Sequence, residues 1–116
     1  MNGANTELQV LNKIKDLLGN NNGCIGFETL TITTTSKQLA SVPATASLAI
    51  FQVESTVTTD RIRYREDGVA PTSTVGKFKT HGDEVEVISA QSIAQLKLIK
   101  DSAATGTTQI NVTYYK

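Results

Sequence analysis

Three arginines alternate along RIRYR, Arg61, Arg63 and Arg65, and an acidic run, Asp83, Glu84 and Glu86, follows after one intervening strand. A row of guanidinium groups on one strand face is an anion-binding comb. With carboxylates on a neighbouring strand it becomes a cross-strand charge ladder, each pair contributing about 0.2–1 kcal/mol. The spacing predicts that ladder, with recognition of an acidic partner as the alternative. The remaining chemistry is sparse. One Cys (Cys24) and one His (His81) exclude disulfide frameworks, Cys/His zinc sites and catalytic triads drawn from these residues. His81 lies in the turn sequence KTHGDE and reads as a solvated turn residue. Cys24 sits in a Gly/Asn run, and no G-x-S-x-G, phosphate loop or H-E-x-x-H is present. Glu66 and Asp67 are adjacent, so on a strand they face opposite ways and make no acid/base pair. An enzyme would need the fold to bring two acids together, Glu54 with Asp83 for instance. The expectation is a chain that is not an enzyme, with no cofactor and no metal.

The elements that must position these residues divide the chain in three. Residues 6–18, TELQVLNKIKDLL, space Leu8, Leu11, Ile14 and Leu18 three to four apart, as on an amphipathic helix. Asn5 or Thr6 can cap its start and Gly19 its end. A helix of about three turns is marginal alone, so its apolar stripe needs a partner surface. The four apolar residues are therefore candidates for oligomerisation. Residues 1–19 are read as this helical segment, 20–26 (NNNGCIG) as a flexible linker and 27–116 as the β-domain.

In that domain short alternating runs recur: 28–34, 47–54, 61–65, 76–80, 83–89, 93–100 and 107–114. The run 47–54 (SLAIFQVE) is apolar on both sides at its start, which fits a central strand. In 61–65 Ile62 and Tyr64 point one way and the arginines the other. About seven short strands with turn signals roughly every ten residues predict an antiparallel β-sandwich, immunoglobulin-like or jelly-roll-like. Thr and Ser fill 25 of the 116 positions, and β-branched Thr favours strands.

Eleven basic residues balance eleven acidic ones, for a formal charge of +0, so neither nucleic acid nor an anionic membrane is an expected partner. No segment approaches the 18 or so apolar residues of a membrane span, and the amino end shows no export pattern, which predicts synthesis in a cytoplasm. Only 5% of residues are aromatic, which lowers a sugar-binding reading without removing it.

One segment, IRYREDGVAPTSTVG, reads as a rigid polar loop between two strands. Gly68 can take a left-handed turn, Pro71 fixes its own φ, and the hydroxyls from Thr72 to Thr74 can bond the backbone. Asp67, Gly68, Pro71 and Thr72 are candidate contact residues. The pattern of Val53, Glu54, Ile62, Arg63, Tyr64, Arg65, Asp67, Gly68, Pro71, Thr72, Gly76, Gly82, Asp83 and Tyr114 resembles small virion proteins from the head and tail genes of tailed bacteriophages. The resemblance spans roughly residues 27–115. It implies a virion location, a β-sandwich and assembly with copies of itself, as a homo-oligomer, or with other virion proteins, as a head decoration or tail component. The D-G-x-x-P-T core is also similar to immunoglobulin-like modules of some chitin-degrading enzymes, where Tyr64 and Phe78 correspond to flanking aromatics. That implies the alternative, a carbohydrate- or cell-surface-binding module.

Overall fold

Eight strands and one short helix follow one another in the computed structural model, which describes residues 23–116. Leu8, Leu11, Ile14 and Leu18, with the helix they were expected to form, lie outside the described residues. The strands are β1 (Cys24–Ile32), β2 (Lys37–Gln38), β3 (Leu48–Ser55), β4 (Arg61–Arg65), β5 (Lys77–Thr80), β6 (Glu84–Ile88), β7 (Lys97–Lys100) and β8 (Thr108–Tyr115). The helix, α1 (Ala90–Gln95), lies between β6 and β7.

All pairings are antiparallel and form two four-stranded sheets, ordered β1-β8-β3-β6 and β2-β7-β4-β5. The expected all-β, two-sheet architecture is therefore present. The pairs nest, β1 with β8, β2 with β7, β3 with β6 and β4 with β5. The chain is thus a long eight-strand hairpin rolled up so that β8 meets β3 and β7 meets β4. The run that read as a central strand is β3, flanked by β8 and β6.

Period-two patterning places the core. β8 alternates buried and half-buried residues along its whole length, and β4 buries Ile62 and Tyr64 while its arginines stay half-exposed. Phe51, Ile110, Val112 and Tyr114 from the first sheet meet Ile62, Tyr64 and Leu98 from the second in one apolar cluster. Phe51 and Tyr64 pack edge to face, with ring centroids 5.7 Å apart and planes at 87°. Ile93 of α1 and the following Leu96 join the same cluster.

Three boundaries differ from the sequence reading. β1 starts at Cys24, so Cys24, Ile25 and Gly26 of the expected linker are strand, and the β-domain begins before Phe27. Pairing with β8 supplies the backbone bonds that a Gly/Asn composition does not advertise, and a register shift between Cys24 and Gly26 accommodates the turn in pattern. Gly26 is required there, because a Cβ would lie 2.8 Å from Pro43. The run 93–100 is strand only in its second half. Its first half belongs to α1, whose cap is Ser89, with its hydroxyl accepting from Ser92 N at 3.1 Å. The strand beyond the seven expected, β2, has two residues, too few to show any alternation.

Candidate functional site

The arginine comb and the acidic run do not form a ladder. β4 is bonded to β5 and β7, whereas β6, which carries Glu84 and Glu86, is bonded to β3 in the other sheet. Asp83 is occupied within its own turn, accepting from Thr80 N at 2.9 Å and Thr80 Oγ1 at 3.1 Å. β4 and β5 pair at the tip of the rolled hairpin and β6 then crosses to β3 in the other sheet, which is why the ladder fails.

The arginines have other partners. Asp101, 3% exposed, accepts from Arg63 Nε at 2.7 Å and lies 3.2 Å from Arg61 Nε, so one carboxylate serves two guanidinium groups. Its second oxygen accepts from Ala103 N at 2.9 Å. Burial pushes this carboxyl up, but the Ala103 N–H and then the two arginines outweigh it and hold it below the ordinary value. Arg65 pairs with Asp67, two residues on, and its hydrogen bond is the main reason the Asp67 carboxyl falls to about 2. Asp101 follows β7 as a lone acid after KLIK, and no local pattern marks it as the arginines' partner.

Arg63 also donates to Gly76 O at 2.9 Å and so ties down the far end of the loop between β4 and β5. That loop is held at nearly every step. Asp67 Oδ1 accepts from Arg65 Nε and Val69 N, and Gly68 is left-handed at φ +83, as its sequence suggested. Pro71 is buried, Thr72 Oγ1 accepts from Val75 N at 2.9 Å, and Ser73 O accepts from Ser102 N at 3.0 Å. Asp67, Gly68, Pro71 and Thr72 therefore belong to one pinned loop. A cleft of about 440 Å³ lies at its base, lined by Tyr64, Arg65, Glu66, Asp67, Gly76 and Lys77.

Val69 and Val75 within the loop, and Phe78 just after it on β5, are exposed. Phe78, 50% exposed on β5, lies under both guanidinium groups, 4.5 Å from Arg61 and 5.3 Å from Arg63. An aromatic flanked by arginines is the composition found at the energetic centres of protein interfaces. Of the two aromatics that the chitin-type motif would use, Phe78 points outward and Tyr64 is part of the core.

The opposite face has another character. On the outer side of the first sheet, a depression of about 310 Å³ is lined by Phe27, Ile50, Gln52, Glu84, Asn111, Thr113 and Tyr115. Phe27 is 62% exposed. Glu54, on the same face, accepts from Gln109 Nε2 at 2.7 Å and Asn111 Nδ2 at 3.0 Å, and the Asn111 bond foremost lowers its pKa.

Charge divides completely between the sheets. The strands of the second carry Lys37, Arg61, Arg63, Arg65, Lys77, Lys79, Lys97 and Lys100 and no acid. Those of the first carry Glu28, Glu54, Glu84 and Glu86 and no base. The outward positions keep the division, with Arg61, Arg63, Arg65 and Lys97 on the second sheet and Glu54, Glu84 and Glu86 on the first, while Lys37, Lys77, Lys79 and Lys100 lie in register with core residues.

The other titratable groups hold the scaffold. His81 is exposed, and its Nδ1 accepts from Ser55 N at 3.0 Å, which ties the β5–β6 turn to the end of β3 rather than leaving the ring to solvent alone. Asp60 accepts from Ser55 Oγ, Thr105 N and Gly106 N, joining two loops at one end of the molecule. Among the described residues no three His, Cys, Asp or Glu side chains gather as a metal centre would require. No known protein family matches this chain, and no curated protein matches it.

Proposed function

We propose that this chain is a virion structural protein of a tailed bacteriophage, a head decoration or tail component. It acts without catalysis, by contact with copies of itself or with neighbouring virion proteins. The observation that carries this reading is the pinned 66–76 loop, with its exposed Val69 and Val75, set beside the exposed Phe78. A contact surface that is already ordered loses little conformational entropy on docking, and a half-exposed aromatic between arginines gains from burial.

The fold is read as a jelly roll, an architecture common in capsid proteins. The nested pairing supports it, as does the separation of β7 and β8 into different sheets. In the immunoglobulin-like alternative the last two strands are neighbours in one sheet. The test is mass spectrometry of density-purified particles from cells that carry the gene. The chain is expected at a fixed ratio to the major head or tail protein. Its presence in the lysate but absence from particles overturns the reading.

A second reading, a carbohydrate- or cell-surface-binding module, is favoured by Phe27 and Tyr115 on one sheet face, over a depression with amide and carboxylate side chains. A glycan array probed with the chain and with Phe27→Ala tests it, the expected result being a ligand lost on substitution.

A further inference from the structure

The two outer faces match each other in charge. On the second sheet Arg61 and Arg63 share the single carboxylate of Asp101. Arg65 lies directly opposite Lys97 across the β4–β7 pair, a like-charge arrangement that destabilises a sheet unless something answers it. Asp67 answers Arg65, and among the described residues Lys97 has no ion pair. On the first sheet Glu84 and Glu86 have no ion pair among the described residues, and Glu54 is held by neutral amides.

The faces also match in shape. Phe78 projects, half-exposed, from the basic face, and the acidic face has a depression of about 310 Å³ lined by Phe27, Ile50, Gln52 and Glu84. We propose that the outer face of the first sheet of one copy docks on the outer face of the second sheet of the next, with Phe78 seated in the depression beside Glu84. This names the partner of the surface put forward above and rests on the assembly reading.

Two consequences follow from geometry. Four strands about 4.8 Å apart and at most five residues at about 3.3 Å each make the second sheet's face roughly 19 by 17 Å. That is smaller than the roughly 800 Å² per partner of a standard stable interface, so a single contact is weak and salt-sensitive, and repetition in an assembly supplies the strength. The two surfaces differ, so the contact is heterologous and builds a ring or a filament rather than a closed two-fold dimer.

The test uses the full chain in analytical ultracentrifugation. Its mass is expected to rise with concentration, and its association constant to fall more than about tenfold between about 50 and about 500 mM salt. One variant, Glu84→Lys with Glu86→Lys, reverses the acidic face, and another, Phe78→Ser, removes the knob. Arg63 is left intact because Asp101 depends on it. Each variant alone is expected to be monomeric, with the circular dichroism spectrum and melting curve of the parent. Their equimolar mixture should give a dimer that grows no further, because each retains one working face. A parent chain that is monomeric at low salt, variants that associate like the parent, or a mixture that fails to dimerise overturns the proposal. So does a glycan bound at the Phe27 depression by a monomeric chain. If the chain is still found in purified particles, the assembly reading survives and its partner is another virion protein.

Discussion

The Glu28 carboxylate is inward-facing, 8% exposed, and accepts from the Tyr114 hydroxyl, from Ala40 N at 3.1 Å and from Ser41 N at 2.9 Å. Burial first, and then the Glu28 bond, push the Tyr114 phenol well above its ordinary pKa. Glu28→Gln turns one acceptor into a donor facing N–H groups, and is expected to cost about 1–3 kcal/mol in urea denaturation. Tyr114→Phe, which leaves both backbone donors satisfied, should cost less. Asp101→Asn should cost about 1–3 kcal/mol by the same measurement, because it weakens the acceptor shared by two guanidinium groups. Asp60, Asp67, Asp83 and Asp101 are all held below the ordinary carboxyl value. The folded state therefore binds fewer protons than the unfolded one wherever these groups titrate. Their contribution is complete above the unfolded value of about 3.9 and is lost as pH falls below it, with Asp67 persisting to about 2. Urea midpoints should be level from neutral pH to about pH 5 and fall steeply below about pH 4.

At the level of elements, the loop between β4 and β5 depends on backbone that only glycine adopts with ease. Gly76 has φ +134, and a Cβ there would lie 3.0 Å from Pro71 Cβ and 3.2 Å from Tyr64 O. Gly76→Ala is expected to destabilise the fold by about 1–3 kcal/mol and to raise amide exchange across residues 66–76. β5 is an edge strand, and Lys77 and Lys79 lie in register with the inward-facing Tyr64 and Ile62. Charges at such positions discourage pairing with a stray strand, so contact through this side is left to the outward Phe78. The helix α1 is capped by Ser89, the only non-glycine residue with positive φ among the described residues. Ser89→Ala keeps that strain and removes the cap, for an expected loss of about 1 kcal/mol in thermal or urea unfolding.

For the whole molecule, one core serves both sheets. Phe51→Ala removes the ring that meets Tyr64 across the layers, and is expected to cost about 3–5 kcal/mol in urea denaturation and to abolish a cooperative transition if the parent is marginal. Alternation was legible in the sequence because a strand's side chains repeat every two residues, and that is a local property. It marked the inward Ile62 and Tyr64 and the central β3, while the glycine at position 68 marked the turn. It missed β2, the start of β1 and α1, where pairing partners or a serine cap outweigh composition. The ladder between the arginines and Asp83, Glu84 and Glu86 was misread, because nearness in the chain stood in for nearness in space. Which face of a long strand is buried follows from its local alternation. Which strands share a sheet emerges with the folded chain, since strand pairing is non-local. Rolling the nested hairpin sorts the acid-bearing strands β1, β3 and β6 into one sheet and the base-bearing strands β2, β4, β5 and β7 into the other, a division that a formal charge of +0 does not reveal.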